Sequence, residues 1–354
     1  MITNVTHNPT ESVLTRVASD ERGPRTAYDD IEVGANIGSA EWVVSRDRLA
    51  ALCETDEDYH EWYSVNSPFQ GVVAPSLMAY PPVRLLFSQK YNVRGLFYEL
   101  HLENIRPIKP DTKMLVGARI ADKWIKRDRE FVAYEGWVFD EAGNEIFRTR
   151  RAHVLDFIKR TSPRSRIALD SGNVVLSDGA ELKTYVKAFE PPTGKRDQIV
   201  LPAESGLAIV STKTPIGWRL PQVSRQMSLK QFADRHELLY GQTVWPEKNL
   251  HADAEAARLE GLSAPVASAP TIFALITRMM MTSFAEGWMV GGKLNVKIVK
   301  PVYPENFITA KGHVIAKTDE NGYTRLSCEV WAENERQEKV VVGNASGLVH
   351  GHTS

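Results

Sequence analysis

The chain has 354 residues, 43% of them apolar, and its 43 basic and 44 acidic side chains leave a formal net charge of −1. With no dense Lys/Arg tract interleaved with aromatics, this balance disfavours a nucleic-acid partner or an anionic membrane surface and fits a small-molecule task. Cys53 and Cys328 form no CxxC or Cys/His spacing, so they read as buried thiols, with no disulfide framework and no metal site expected.

Met1 to Thr26 reads as a frayed leader with few apolar anchors, and it lacks the cationic start and apolar core of a secretory signal. The nearest approach to a spanning helix, Thr271 to Val290, is broken by Arg278, Glu286 and Gly287, so a cytoplasmic location without membrane partners is expected. Ser45 before Arg46 to Leu52 is a helix start, because a serine oxygen at the N-cap accepts from an unpaired amide and Asp47 suits the first turn. Glu54 to Ser67 is irregular, polar and aromatic. Pro75 to Tyr91 carries Leu77, Met78, Val83, Leu85, Leu86 and Phe87 at helical spacing, with Pro81-Pro82 kinking the helix or delaying its start. Extended segments follow at Leu102 to Ile108, Met114 to Trp124, Phe131 to Phe139 and Ile146 to Leu155, the last two joined by a turn at Glu141 to Asn144.

Prolines punctuate Phe157 to Pro221, a linking region with a short helix expected over Ala180 to Phe189. The pattern then restarts. Ser228 precedes a helix over Leu229 to Leu239, a polar segment leads to His251, and a long helix falls within Thr271 to Ala285. Strands are expected at Lys293 to Val299, Phe307 to Lys317, Thr324 to Trp331 and Val340 to Val349. Pro107 and Pro301 stand in matching motifs 194 positions apart, as do Trp137 and Trp331, while His60 and His251 are 191 apart. Separate motifs sharing one offset in one order mark an internal duplication. The expected organisation is a leader over 1–26, a first unit over 27–156, a linker over 157–220 and a second unit over 221–350, each unit α+β.

Three stretches resemble the MaoC-like, or hydratase 2, family of acyl-thioester hydratases and dehydratases. Lys300-Pro301-Val302-Tyr303-Pro304-Glu305 is similar to its Pro-Val-x-Pro-Gly-Asp segment, Asn249-Leu250-His251-Ala252-Asp253 to its Asp-x-Asn-Pro-Leu-His-x-Asp stretch, and Pro265-Val266-Ala267-Ser268-Ala269 to its Pro-Ile-Val-His-Gly. The resemblance implies a double hotdog, two antiparallel sheets each wrapping a long central helix, and an acyl-CoA or acyl-carrier-protein substrate. Departures accompany the matches: Pro246 stands where the family has its catalytic Asp, with Glu247 the nearest carboxylate, and Ala269 stands where the family has the Gly whose amide polarises the thioester carbonyl.

Hydrating an enoyl thioester needs a proton shuttle at the α carbon, a group holding water at the β carbon and an amide dipole for the developing enolate. His251 is the leading acid/base residue, with Glu247 or Asp253 as acid partner and Asn249 orienting water; Asp253 also suits the N-cap of a helix over Ala254 to Leu259. Ser268 and Ala269 lie on the substrate side. The first unit offers Asp56, Asp58 and His60 at the matching place, read either as a substrate-shaping loop or as the working site. No Gly-rich phosphate loop occurs, so no cofactor is expected. Thioester hydrolysis, double-bond isomerisation and a non-catalytic acyl-binding subunit are the alternatives on the same scaffold, and a homodimer is compatible with it.

Overall fold

A computed structural model describes residues 26–91, 93, 96–155, 172–175, 181–185, 199–244 and 249–351. The leader up to residue 25, most of the linker, and Pro246 and Glu247 lie outside the described residues.

Helix α1 (Arg46–Asp56) begins where its cap requires, the Ser45 hydroxyl accepting from the Arg48 amide at 3.1 Å, and it ends with Glu57 in the left-handed region. The prolines at 81 and 82 delay a helix without breaking it. A 3-10 turn at Ser76–Ala79 precedes α2 (Tyr80–Lys90), which takes both prolines into its first turn, where a missing N–H leaves no intrahelical bond unmade. The second half supplies α3 (Leu229–Val244), α4 (Ala254–Leu259), α5 (Ala269–Phe284) and the short α6 (Glu286–Met289).

The strands are β1 (Asn36–Val43), β2 (Phe97–Asn104), β3 (Lys113–Lys126), β4 (Arg129–Phe139), β5 (Glu145–Val154), β6 (Gly172–Val175), β7 (Glu181–Tyr185), β8 (Val223–Gln226), β9 (Lys293–Ile298), β10 (Phe307–Glu320), β11 (Tyr323–Glu333) and β12 (Lys339–His350). They form one antiparallel sheet in the order β6-β7-β1-β3-β4-β5-β2-β9-β12-β11-β10-β8. The expected two sheets are therefore joined: β2 and β9 pair along their length, and this hydrogen-bonded seam makes the halves continuous. The expected helix over Ala180 to Phe189 is also corrected, because residues 181–185 pair with β1 as β7. Strands β1 and β8 have no counterpart in the sequence reading, and β2 begins five residues before its expected start.

The register carries the duplication. Leu100 opposite Arg151 and Tyr134 opposite Arg151 recur 194 positions later as Leu294 opposite Ala345 and Cys328 opposite Ala345. Helix α2 packs on β1, β3 and β4, and α5 on β8, β10, β11 and β12. Gly136 on β4 permits that approach, since a Cβ there would stand 2.5 Å from the Val83 side chain on α2. The two halves also interlock, with α3 of the second half packing against α1 and α2 of the first. One apolar core runs through both, with Trp42, Phe87, Phe273 and Trp288 fully buried.

Candidate active site

Two loops, one in each half, are stapled in the same way ahead of the two central helices. In the second half the Val266 amide donates to the Leu250 carbonyl (3.1 Å) and the Ala267 amide to the Val302 carbonyl (2.8 Å). In the first half the Val73 amide donates to the Trp62 carbonyl (3.0 Å) and the Ala74 amide to the Ile108 carbonyl (2.9 Å). The proline-flanked strand motif thus fixes the chain just before each helix and holds the histidine-bearing loop beside it.

Inside the second loop, Asn249 is buried and its Oδ1 accepts from the His251 amide at 2.8 Å. That bond turns the backbone so that His251 Nδ1 lies 2.8 Å from the Val266 carbonyl. A carbonyl only accepts, so Nδ1 carries the proton and Nε2 is the basic nitrogen of the neutral ring. Burial, offset in part by the Val266 bond and reinforced by the positive charge of Arg84, pulls the His251 pKa from 6.5 down to about 4. Asp253 caps α4, its carboxylate accepting from the Ala256 amide at 2.8 Å. Ser268 is the N-cap residue of α5 and Ala269 its first residue, both buried, with the Ser268 and Thr271 hydroxyls 2.9 Å apart. First-turn amides lack partners within their helix, so the Ala269 N–H is a donor of the kind a developing oxyanion needs. His251 and Asn249 are therefore held beside Val266, two and three residues ahead of Ser268 and Ala269. Glu247 falls outside the described residues.

The first loop is built of similar parts with a different outcome. His60 Nδ1 accepts from the Trp62 amide (3.3 Å), which puts the proton of the neutral ring on Nε2, the reverse of His251. Burial lowers the His60 pKa. Asp56 has both carboxylate oxygens bound to Arg235 of α3, at 2.7 and 2.9 Å, in a buried bidentate pair. Burial raises Asp58 to about 6, with Arg278 of α5 opposing the rise and Asp56 adding to it.

The sequence reading missed two cations. Arg84 on α2 acts on the second-half histidine, and Arg278 on α5 on the first-half aspartate. Each helix thus carries a positive charge that acts on the other half's loop. The signal was available, since these arginines are themselves 194 positions apart.

No protein-family model matches the chain, and no curated protein matches it in sequence. Solved structures do match in fold. A MaoC-like dehydratase superposes with a TM-score of 0.68 at 16% identity, over 92% of this chain and 100% of that one. A MaoC-domain dehydratase from Chloroflexus aurantiacus gives 0.66 at 11% identity, over 93% and 98%. A Mycobacterium tuberculosis protein described as having a double hotdog fold gives 0.59 at 12% identity, over 92% and 98%. At these identities the likeness establishes the fold, the double hotdog of the MaoC-like dehydratases.

Proposed function

We propose that the chain hydrates an enoyl thioester, or dehydrates the corresponding 3-hydroxyacyl thioester, at the site formed by His251, Asn249 and the first turn of α5, with CoA or a carrier protein as the thiol. Two units, over 27–156 and 221–350, supply the scaffold, and the first-half loop shapes the site. The observation that carries this reading is the pair of Nδ1 partners: His251 Nδ1 meets the Val266 carbonyl, which leaves Nε2 as its basic nitrogen, whereas His60 Nδ1 accepts from the Trp62 amide.

In the hydration direction, His251 Nε2 takes a proton from water as the oxygen bonds to the β carbon. The electron pair of the double bond moves onto the thioester carbonyl, where the Ala269 amide stabilises the enolate. The imidazolium then returns the proton to the α carbon, so water is added and nothing else is consumed. At a pKa of about 4 the ring is neutral at pH 7 and can accept the proton, and the imidazolium it becomes gives that proton up readily to the α carbon.

The test follows enoyl-thioester absorbance beside a free-thiol assay, with wild type and His251→Ala. Loss of the enoyl band without thiol release, abolished in the variant, is the expected result. Thiol release would make the protein a thioesterase, and acyl-CoA binding without turnover would make it an acyl-binding subunit.

A further inference from the structure

Beneath α2, the core of the first half holds a guanidinium beside an imidazole. Arg151 on β5 is 0% exposed and His153, two residues on, is 3% exposed. The Arg151 guanidinium donates to the Tyr80 carbonyl (2.9 Å) and to the Tyr134 hydroxyl (3.5 Å) and lies 3.1 Å from the centre of the Tyr80 ring. Its Nε has no acceptor, nor does His153 Nδ1, while His153 Nε2 contacts the Tyr134 hydroxyl at 3.1 Å. No carboxylate among the described residues pairs with Arg151. A guanidinium remains a cation when buried, and a buried charge without a counter-ion is costly, so the fold alone does not account for it.

The duplication supplies an internal control. The positions equivalent to Arg151, His153 and Tyr134 in the second half are Ala345, Gly347 and Cys328, in the same register on the same kind of sheet. The same place in the second half thus folds without a cation. The cluster also adjoins the candidate active site. Phe97 makes an edge contact with His153 at 4.9 Å and another, at 5.6 Å, with Phe273, one turn into α5 from Ala269. The charge of Arg84 lowers the pKa of both His153 and His251, in each case after burial.

We propose that Arg151, with the Tyr134 hydroxyl and His153 as neighbouring donors, binds a carboxylate at the end of the acyl group remote from the thioester, so that the substrates are monothioesters of unsaturated or hydroxylated dicarboxylic acids. This rests on the hydratase reading for the thioester end. An Arg–carboxylate pair is charge-assisted and directional, and a neutral acyl chain would leave the guanidinium without a counter-ion.

The test uses the full chain and two enoyl-CoA esters of equal length, one ending in a methyl group and one in a carboxylate. Expected is a kcat/KM about 100-fold higher for the carboxylate ester. Arg151→Met should remove that preference, and Tyr134→Phe, which deletes one hydroxyl, should reduce it; melting temperatures verify folding. Equal kcat/KM for the two esters in wild type, or an undiminished preference in the Met variant, overturns the anion site and leaves the hydratase reading intact. If neither ester is hydrated, the hydratase reading fails, and calorimetric titration with a free unsaturated dicarboxylic acid decides the anion site separately. Binding by wild type and not by the Met variant supports it, and no binding by wild type overturns it.

Discussion

His101 and Asn295 stand directly opposite each other across the seam between β2 and β9, and they are 194 positions apart, the offset of the duplication. The local twofold axis relating the halves thus passes between them. Around it the pairing is charge-complementary: Glu103 meets Lys293 (3.4 Å) and Glu99 meets Lys297 (3.6 Å), with both glutamates on β2 and both lysines on β9. Two copies of the first unit joined in the same way would face glutamate with glutamate. The charges favour pairing within the chain over pairing between like units.

Reversing that seam tests it. Lys293→Glu with Lys297→Glu should lower the melting temperature by a few degrees, and adding Glu99→Lys with Glu103→Lys should restore most of it. The lysines are nearly half exposed, so each pair is worth only about 0.2–1 kcal/mol. A double-mutant cycle in low salt measures the coupling, and additivity would refute the complementarity.

The Asp56–Arg235 pair binds α1 to α3 from the interior. Asp56→Ala or Arg235→Met alone should cost about 3–5 kcal/mol in urea unfolding, because each strands a buried charge. The double variant Asp56→Leu/Arg235→Met should recover most of the loss. A cost below 1 kcal/mol for either single change would show that the pair is not desolvated as the fold implies.

Ala269→Pro is a clean deletion of one amide. Proline is tolerated at the first helical position, and Ser268 already has the extended backbone that must precede it. If the Ala269 N–H stabilises the enolate, kcat should fall about 10²–10³-fold with the melting temperature nearly unchanged. Unchanged kcat would remove this amide from the mechanism.

His60→Ala and His251→Ala should differ. The first removes the acceptor for the Trp62 amide and should leave kcat within about tenfold of wild type, while the second removes the proposed base and should cost about 10²–10⁴-fold. The opposite order would move the site to the first loop.

The pH dependence follows from the same ring. The folded-state pKa of His251, about 4, lies below its ordinary 6.5, so on acidification the unfolded chain binds a proton first. Stability is therefore lost as pH falls from 6.5 towards 4, by up to about 1.4 kcal/mol per pH unit. Asp58, raised to about 6, acts in the opposite sense, losing stability as pH rises through that value. Comparing wild type with His251→Asn cancels the Asp58 contribution. The difference in unfolding free energy between pH 7 and pH 4.5 should be larger for wild type, and equal differences would contradict a half-buried His251 held neutral.

Much of the scaffold was legible in the residues because its signals are local. The Ser45 cap, the prolines at 81 and 82 and the alternation along β3, β4 and β5 act within a few positions of themselves. Strand β1 was missed because Asn36 to Val43 mixes Gly, Ser and Glu without clean alternation, and it is a strand because β3 and β7 pair with it on both sides. The segment over 181–185 has helical composition, yet its pairing with the edge of β1 makes it a strand, so context outweighed propensity.

The residues alone determined the duplication, the place of the His251 loop and its closeness in sequence to the start of α5, because a repeat offset and a motif are properties of linear order. Only the tertiary structure decided that the sheets join at the seam, that Asp56 is committed to Arg235, that the two histidines meet opposite kinds of hydrogen-bond partner at Nδ1 and that the charges of Arg84 and Arg278 each act on the other half's loop. These depend on which distant backbone or side-chain group lies within a few ångströms, and hydrogen bonds, burial and charge act over that distance whatever the separation along the chain.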